Sequence, residues 1–443
     1  MRFGYQQKLW IKFCHFFVRS FYSRVEISGA ERLDIEAPII LCANHTNALA
    51  DAVLLQYSSR QLLHPIARSG LFKNPLLKPI LAIWQAVPVY RREDTESAQI
   101  DNHLMFKKAY EMLAAGHALM IFPEGQSHSG YQLKPLKTGA ARIAIGFQQK
   151  YKITPVIIPV GLNFSQTDYF RSHVYINFGE AVAMNSALSV DSDDDVNALT
   201  DSILKAMQSR VIVVDQDRDY DFIKQLDRFY ALRNNRIKKR SLSQKFKSHK
   251  LIISLNTKLS EIAPDKVISL QRHLNQFNRL CHHLGIHDYH LNLRYNSATI
   301  RRFIIRSVFM IAVIFPLALF GFINSVIPYA LTKASGFVLA KKPDQQDTAK
   351  ILSATLFFSL FWFAQSYAVY ELYGGLISAL YFLTLLPTSL AALILSREKQ
   401  RITANLSVFF ILLRRKYSRR YLLKKRRQIE KELTEIINLL RKH

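Results

Sequence analysis

Three apolar stretches in the last third of the 443-residue chain constrain what it can fold into. Residues 351–370 and 373–395 contain no charged side chain, and only two residues separate them. Each is long enough to cross a bilayer as a helix, which takes about 20 residues. Their close spacing predicts a helical hairpin. A third stretch, residues 303–331, completes a membrane module that we place at residues 301–396.

The topology of this module depends on the third stretch, for which two alternatives are open. Pro316 and Pro328 interrupt residues 303–331, which therefore form either a re-entrant segment or a kinked span. The basic helical tail that follows, residues 397–443, holds 15 Lys or Arg against four Asp or Glu. Basic segments are retained on the cytoplasmic face. An even number of crossings satisfies this tendency, so we favour the re-entrant alternative.

The charge of the chain limits its partners. The sequence has 60 Lys or Arg and 33 Asp or Glu, a formal net charge of +27. Such a charge suits either nucleic acid or an anionic membrane. Because the basic tail directly follows an apolar span, we expect it to contact anionic membrane lipids, and we expect no nucleic-acid partner.

The N-terminal segment predicts an amphipathic helix. Trp10, Phe13, Phe17 and Phe21 lie three or four positions apart, with basic residues between them. Such a helix lies in a membrane interface or packs against its own domain, and the pattern fits both. Polar side chains interrupt the apolar pattern too often for a signal peptide. We designate residues 1–24 as an interfacial amphipathic helix.

Short apolar runs alternate with helical patterns over residues 25–185. The runs cover residues 38–43, 86–90, 118–122, 156–162 and 174–178. This alternation predicts an α/β domain with a buried sheet. Residues 186–300 begin with an acidic loop and continue as charged helical sequence, which we interpret as a helical connector to the membrane module.

A histidine and an acid follow the first of these runs. His45 comes two residues after the run ends, and Asp51 lies at the start of a helical pattern. A hydroxyl that attacks a thioester needs a base to accept its proton, and histidine suits that task. A neighbouring carboxylate fixes the imidazole tautomer and stabilises the imidazolium. Taken alone, such a pair is structural as often as catalytic.

Three other runs carry further distinctive residues. The sequence F-P-E-G-Q-S includes Glu124 and Gly125, and the glycine permits an unusual backbone turn close to a ligand. The sequence V-P-V-Y-R-R ends in Arg91 and Arg92, whose planar guanidinium groups can each donate two hydrogen bonds to a phosphate. The run that contains Pro159 is a strand whose proline interrupts the ladder.

The order, spacing and content of these four segments resemble the glycerol-phosphate acyltransferase family, the PlsC-type domain. The resemblance implies a mixed central sheet flanked by helices. It implies that His45 and Asp51 form the catalytic pair and that Arg91 binds the phosphate of the acceptor. It also implies that Glu124 and Gly125 shape the acceptor site.

The spacing of the catalytic pair departs from the commonest family pattern, H-x4-D. Here five residues separate His45 from Asp51. Positions i and i+6 do not share a helical face, so the connecting residues must loop to bring the two side chains together. The longer spacing resembles a subgroup that includes glycerol-3-phosphate and dihydroxyacetone-phosphate acyltransferases.

A second departure removes a cation from the expected acceptor site. Gln126 and Ser127 stand where many family members have Thr and Arg. Arg92, Lys134 or Lys137 would supply the charge instead. Lys137 begins a segment that also resembles the family, and it is either a phosphate contact or a solvated lysine at a helix start.

A histidine-rich segment suggests a metal site, which we do not expect. The segment contains Cys281, His282, His283, His287 and His290. Their spacing matches no standard zinc module, and histidines at a helix end need no metal.

These observations predict a membrane-bound acyltransferase of phospholipid synthesis, with its catalytic domain on the cytoplasmic face. The donor is acyl-CoA or acyl carrier protein, and the acceptor is glycerol 3-phosphate or its 1-acyl derivative. The hydroxyl attacks directly, because the serines after Gly125 lack the nucleophile elbow G-x-S-x-G, and we expect no cofactor. The alternatives are another lysophospholipid or lipid acceptor, or a non-catalytic membrane scaffold.

Overall fold

The computed structural model divides the chain into two compact units. It describes residues 4–75, 77–90, 103–128, 130–166, 171–214, 217–233, 240–284, 301–302, 305–306, 308–338, 346–414 and 416–440. We call the first the sheet unit, built mainly from Met1–Tyr220. The second is the helical unit, built mainly from Ser248–Ala340 and Ala349–His443.

A seven-stranded sheet forms the centre of the sheet unit. Its strands are β1 (Arg24–Ser28), β2 (Ile39–Ala43), β3 (Leu63–Arg68), β4 (Val87–Val89), β5 (Ala118–Ile121), β6 (Val156–Phe164) and β7 (His173–Phe178). Their order is β1-β7-β6-β2-β5-β3-β4, and every neighbouring pair is parallel except β6 and β7. The sequence-based expectation of a mixed central sheet flanked by helices is confirmed.

Helices cover both faces of this sheet. They are α1 (Tyr5–Phe21), α2 (Ala48–Ser58), α3 (Lys78–Ile83), α4 (His103–Ala114), α5 (Gly139–Tyr151) and α6 (Asp193–Arg210). All five residues of β2 are buried, and they alternate between two cores. Ile39 and Leu41 contribute to the core under α1 and α2, whereas Ile40 and Cys42 contribute to the core under α4, α5 and α6. A strand buried on both faces explains the continuous apolar run in the sequence.

Helix α1 presents apolar side chains on two opposite faces. Trp10, Cys14 and Val18 are buried in the sheet unit. The opposite face leaves Leu9, Phe13 and Phe16 at least 49% exposed, together with Tyr5. The helix therefore packs against its own domain and also retains an apolar surface of the kind that lies in a membrane interface.

Helix α6 extends the core of the sheet unit beyond residue 185. The side chain of Ser192 caps the helix by accepting a hydrogen bond from the backbone N–H of Asp195. Val196 and Ile203 are buried in the same core as Ile40. Helix α6 therefore packs on the sheet although it lies beyond residue 185.

The remaining described helices belong mainly to the helical unit. They are α7 (Asp217–Arg233), α8 (Leu242–Ile262), α9 (Pro264–His283), α10 (Phe315–Val338), α11 (Gln346–Tyr373), α12 (Gly375–Arg414) and α13 (Lys416–Leu440). Two segments of the described helices, Ala312–Ser335 and Gly375–Ser396, are long and apolar enough to cross a membrane.

The described backbone includes the turn of the predicted hairpin and the prolines of residues 303–331. Helices α11 and α12 are joined at Gly374, whose φ of +82° lies in the left-handed region that glycine adopts without strain. Helix α10 continues through Pro328. The described part of residues 303–331, which omits residues 303, 304 and 307, is helical and includes a π-helical turn at Met310–Ile314. The choice between a re-entrant segment and a kinked span stays a prediction.

Helices α10 and α12 pack closely. A Cβ atom at Gly321 would lie 2.1 Å from the carbonyl oxygen of Thr388, so only glycine fits there. One turn further along, the hydroxyls of Ser325 and Ser389 are hydrogen-bonded at 2.6 Å. Small residues and interhelical hydrogen bonds are the features that join helices in membranes.

The last helix, α13, has one buried apolar face and one exposed basic face. Leu422, Ile429 and Ile436 are buried, and the carboxylate of Glu432 binds His273 of α9 at 2.9 Å. The opposite face exposes a basic stripe, namely Arg420, Lys424, Arg427 and Lys431. This end of the basic tail is thus anchored to the helical unit on one face and remains accessible on the other.

Candidate active site

The histidine and the acid that follow β2 are in contact. The Nδ1 atom of His45 and Oδ2 of Asp51 are 3.0 Å apart. The same oxygen accepts hydrogen bonds from the backbone N–H groups of Thr46, at 2.8 Å, and Asn47, at 2.7 Å. Asp51 is fully buried, whereas the His45 side chain is 18% exposed. The contact makes Nδ1 the donor to a carboxylate and leaves Nε2 as the nitrogen that can accept a proton.

The five-residue spacing is accommodated by irregular backbone before α2. Asn47 has φ −138° and ψ 42°, and Ala48 has a left-handed φ of +42°. This path delays the start of the helix and places Asp51 in its first turn. The connecting residues therefore loop as the sequence required, and the carboxylate meets the imidazole of His45.

A second loop, which follows β5, lies against the first. Strands β2 and β5 are parallel neighbours, so their carboxyl ends meet at one edge of the sheet. Glu124 is buried, and its Oε1 accepts the backbone N–H of His45 at 2.8 Å. Its Oε2 accepts the backbone N–H of Lys134 at 3.1 Å and bonds with Nε2 of His128. The ring of Phe122 stacks on the imidazole of His45, with centroids 4.1 Å apart.

Lys137 lies beside Gly125 at the same edge. Gly125 has a φ of +76°, which a side chain would strain, and a Cβ atom there would lie 3.3 Å from Cγ of Lys137. The backbone N–H of Lys137 also donates to the carbonyl of Pro123 at 2.7 Å. Its side chain is exposed, so its ammonium group can meet an anionic ligand at this edge.

The two predicted phosphate-binding arginines cannot be compared with this geometry. Arg91 and Arg92 lie outside the described residues. Strand β4, which precedes them, ends at Val89 and is separated from β2 by β5 and β3.

A small, open cleft lies beside the loop that carries His45. Its lining mixes the apolar side chains of Leu162, Phe164 and Ile212 with the polar side chains of Asn44 and Thr46.

The amide of Asn44 fixes one side of this cleft. Its Oδ1 accepts the backbone N–H of Leu162 at 2.7 Å, and its Nδ2 donates to the carbonyl of the same residue at 3.1 Å. Asn44 therefore ties the loop that carries His45 to strand β6.

A cysteine near the pair is unsuited to nucleophilic catalysis. Cys42 is fully buried three residues before His45, and burial raises the pKa of its thiol to about 12. A thiol with so high a pKa stays protonated at neutral pH, whereas the nucleophile is the thiolate. Cys42 is therefore not a candidate nucleophile.

The histidine-rich segment lies only partly within the described chain. His282 and His283 end helix α9, and His287 and His290 lie outside the described residues. Within the part of the chain that the structure describes, three or more His, Cys, Asp or Glu residues never gather closely enough to hold a metal ion.

Sequence reasoning did not assign a role to His128. Its only signal in the sequence was its position four residues after Glu124. The loop turns at Gly125, and the side chains of Glu124 and His128 therefore meet. His128 also donates its backbone N–H to the carbonyl of His45 at 3.0 Å.

Comparison with known proteins identifies the domain that holds these residues. Residues 24–162 match the model of the acyltransferase family. They form an acyltransferase-family domain. His45, Asp51, Glu124 and Lys137 all lie within it.

Two known acyltransferases illustrate what this part of the chain is similar to. Over 141 residues the chain is 30% identical to glycerol-3-phosphate O-acyltransferase 1 of Saccharomyces cerevisiae, which covers 30% of this chain and 19% of that protein. Over 159 residues it is 23% identical to the 1-acyl-sn-glycerol-3-phosphate acyltransferase of Borreliella burgdorferi, which covers 36% of this chain and 58% of that protein. The chain thus spans about a fifth of the yeast protein and less than two thirds of the bacterial one.

A solved structure also aligns with the chain. The 1-acyl-sn-glycerophosphate acyltransferase PlsC from Thermotoga maritima aligns over 46% of this chain and 78% of its own, with 17% sequence identity and a TM-score of 0.34.

Proposed function

We propose that this chain is a glycerolipid O-acyltransferase of phospholipid synthesis. It transfers a fatty acyl group from acyl-CoA or acyl carrier protein to glycerol 3-phosphate or 1-acyl-glycerol 3-phosphate. The observation that carries this proposal is the 3.0 Å contact between His45 and the buried Asp51 inside an acyltransferase-family domain.

The base acts on the hydroxyl of the acceptor. As the hydroxyl oxygen attacks the thioester carbonyl, its proton passes to Nε2 of His45. Asp51 stabilises the imidazolium that forms, because its anionic oxygen remains hydrogen-bonded to Nδ1. The tetrahedral intermediate then expels the thiolate, which takes the proton from Nε2. The products are an ester and a free thiol, and His45 is neutral again.

Phosphate recognition distinguishes the proposed acceptor from a simple alcohol. Arg91 and Arg92 donate hydrogen bonds to the phosphate, and Lys137 adds a third cation beside the turn at Gly125. Glu124 shapes this side of the site through the loop that it holds.

The membrane supplies both an amphiphilic donor and a place for the product. The exposed apolar face of α1 lies in the bilayer interface, and the spans of the helical unit anchor the chain. The exposed basic stripe of α13 meets anionic headgroups, each cation contributing about 1 kcal/mol near the surface. We place the acyltransferase domain on the cytoplasmic face, where the basic tail is retained.

Two alternatives are separated from this proposal by assay. Detergent-solubilised protein is incubated with labelled acyl-CoA or labelled acyl carrier protein and a panel of acceptors: glycerol 3-phosphate, lysophosphatidate and other lysophospholipids. A labelled product from one of the first two supports the proposal, and a product only from another lysolipid reassigns the acceptor. No transfer to any acceptor by the folded protein supports a non-catalytic scaffold.

The role of the base is tested in the same assay. We expect His45→Ala to lower turnover by roughly 100-fold or more while the fold is retained. Near-normal turnover in a folded variant contradicts the assignment of His45.

A further inference from the structure

We propose that His128 is a positioning residue for acyl transfer and that it acts together with Glu124 to hold the backbone of His45. The inference rests on the proposed function, because it takes His45 as the base. It adds a second support to that base, distinct from the contact between the imidazole and Asp51.

The geometry forms a closed set of hydrogen bonds around one residue. Glu124 Oε1 accepts the backbone N–H of His45 at 2.8 Å, and the backbone N–H of His128 donates to the carbonyl of His45 at 3.0 Å. The side chains of Glu124 and His128 are bonded to each other through Oε2 and Nε2. Both backbone hydrogen-bonding groups of the base are therefore held by one loop.

Such support is needed because His45 lies in irregular backbone. It falls after the end of β2 and before α2 begins at Ala48, so neither a strand ladder nor a helix satisfies its peptide groups. The contact with Asp51 fixes the tautomer and the direction of the ring, but it does not by itself fix the position of the main chain. A misplacement of about 1 Å at a reacting group can cost roughly 100-fold in rate.

Glu124 can hold this position only if its charge is compensated. The side chain is completely buried, and a buried carboxylate is destabilising unless hydrogen bonds surround it. Two of its donors are backbone N–H groups, from His45 and Lys134, and the third is Nε2 of His128. The histidine ring is 11% exposed, so water replaces this donor poorly. Its loss would weaken the carboxylate that holds the base.

The central experiment compares three variants with the wild-type protein. His128→Ala removes the donor, whereas His128→Gln can bring an amide N–H to the position of Nε2. His273→Ala is the matched control, because it breaks another His–Glu pair, with Glu432, in the helical unit. We measure kcat and KM for donor and acceptor, thermal unfolding, and the dependence of kcat/KM on pH.

The expected result is a loss of turnover without a loss of binding. His128→Ala should lower kcat roughly 10- to 100-fold with both KM values nearly unchanged. His128→Gln should recover most of this rate, and His273→Ala should retain it. The shape of the pH profile should be the same in His128→Gln as in the wild-type protein.

A double variant shows whether His128 acts through His45 or independently of it. In a His45→Ala protein, adding His128→Ala should cause no further loss, because residues that act as a unit are strongly non-additive. A further loss there, a change confined to the KM of the acceptor, or full activity of the folded His128→Ala protein overturns the inference. If His128→Ala does not fold, a folded His128→Gln protein as inactive as His45→Ala also overturns the inference, because glutamine keeps the hydrogen bond to Glu124 and removes only the imidazole.

Different results would contradict the proposed function and the positioning role of His128. A fully active, folded His45→Ala protein defeats the proposed function itself. An inactive His45→Ala protein together with a normal His128→Ala protein defeats only the positioning role.

Discussion

Replacement of Asp51 by asparagine tests the charge of the proposed catalytic pair, His45 and Asp51, with little change of shape. The amide oxygen of Asp51→Asn can still accept from Nδ1 of His45 and from the backbone N–H groups of Thr46 and Asn47. The variant therefore keeps the hydrogen bonds and removes the negative charge that faces the imidazolium in the transition state.

The magnitude follows from the distance. Unit charges 3.0 Å apart interact by about 5.5 kcal/mol at an effective dielectric constant of about 20. Each ~1.4 kcal/mol of barrier changes the rate tenfold, so a full loss corresponds to roughly 10⁴-fold in kcat. We expect a reduction of roughly 10³- to 10⁴-fold. Two charge-assisted bonds to backbone N–H groups also become neutral, which lowers the free energy of unfolding by about 2 kcal/mol.

Single-turnover transfer from labelled acyl-CoA to glycerol 3-phosphate measures the effect, and thermal unfolding in detergent shows that the variant is folded. The matched control is Asp193→Asn, which removes a largely exposed carboxylate that pairs with Arg142 at 2.7 Å. A reduction below tenfold in a folded Asp51→Asn protein, or a change limited to KM, would refute the role of the aspartate.

Three further predictions concern binding, stability and topology. Arg91→Ala should mainly raise the KM of the acceptor, and an effect confined to the donor would reassign the residue. Burial, with His117 nearby, lowers the pKa of His64 to about 4. As the pH falls from 6.5 to 4, His64 is protonated in the unfolded chain before it is protonated in the folded protein. The free energy of unfolding therefore falls by up to about 3 kcal/mol over this range. Thermal unfolding measured between pH 6.5 and pH 4 should show a smaller loss of stability for His64→Asn than for the wild-type protein. An equal loss in the two proteins would contradict the prediction. In a cysteine-free protein in intact cells, an impermeant thiol reagent should label Gly374→Cys and leave Arg420→Cys unmodified, whereas the reverse pattern implies an odd number of crossings.

Five of the seven strands of the described sheet could be predicted from the sequence, and β1 and β3 could not. The apolar runs correspond to β2, β4, β5, β6 and β7, most of them buried. Strand β1, which contains Arg24 and Glu26, is an edge strand with mostly partly exposed residues. Strand β3 contains His64 and Pro65, which break the apolar pattern. Such strands are determined by pairing with distant segments, which a local pattern does not contain.

The candidate site shows the same division. Residue type and position after a strand were enough to bring His45, Asp51 and Glu124 to one edge of the sheet, because neighbouring parallel strands end together. The partners of Glu124 were not predictable, since they depend on a turn at Gly125 and on backbone donors from two loops. The contribution of His128 was missed for this reason.

The two apolar faces of α1 couple lipid binding to folding. Its buried face includes Trp10, whose ring meets that of Trp84 edge to face with centroids 4.9 Å apart. Phe13 and Phe16 on the other face are available only when the helix is formed and held in place. A bilayer that binds this face binds the folded state in preference to the unfolded one, so it raises the melting temperature as a ligand does. Lipid vesicles should therefore act as a folding ligand for the acyltransferase domain.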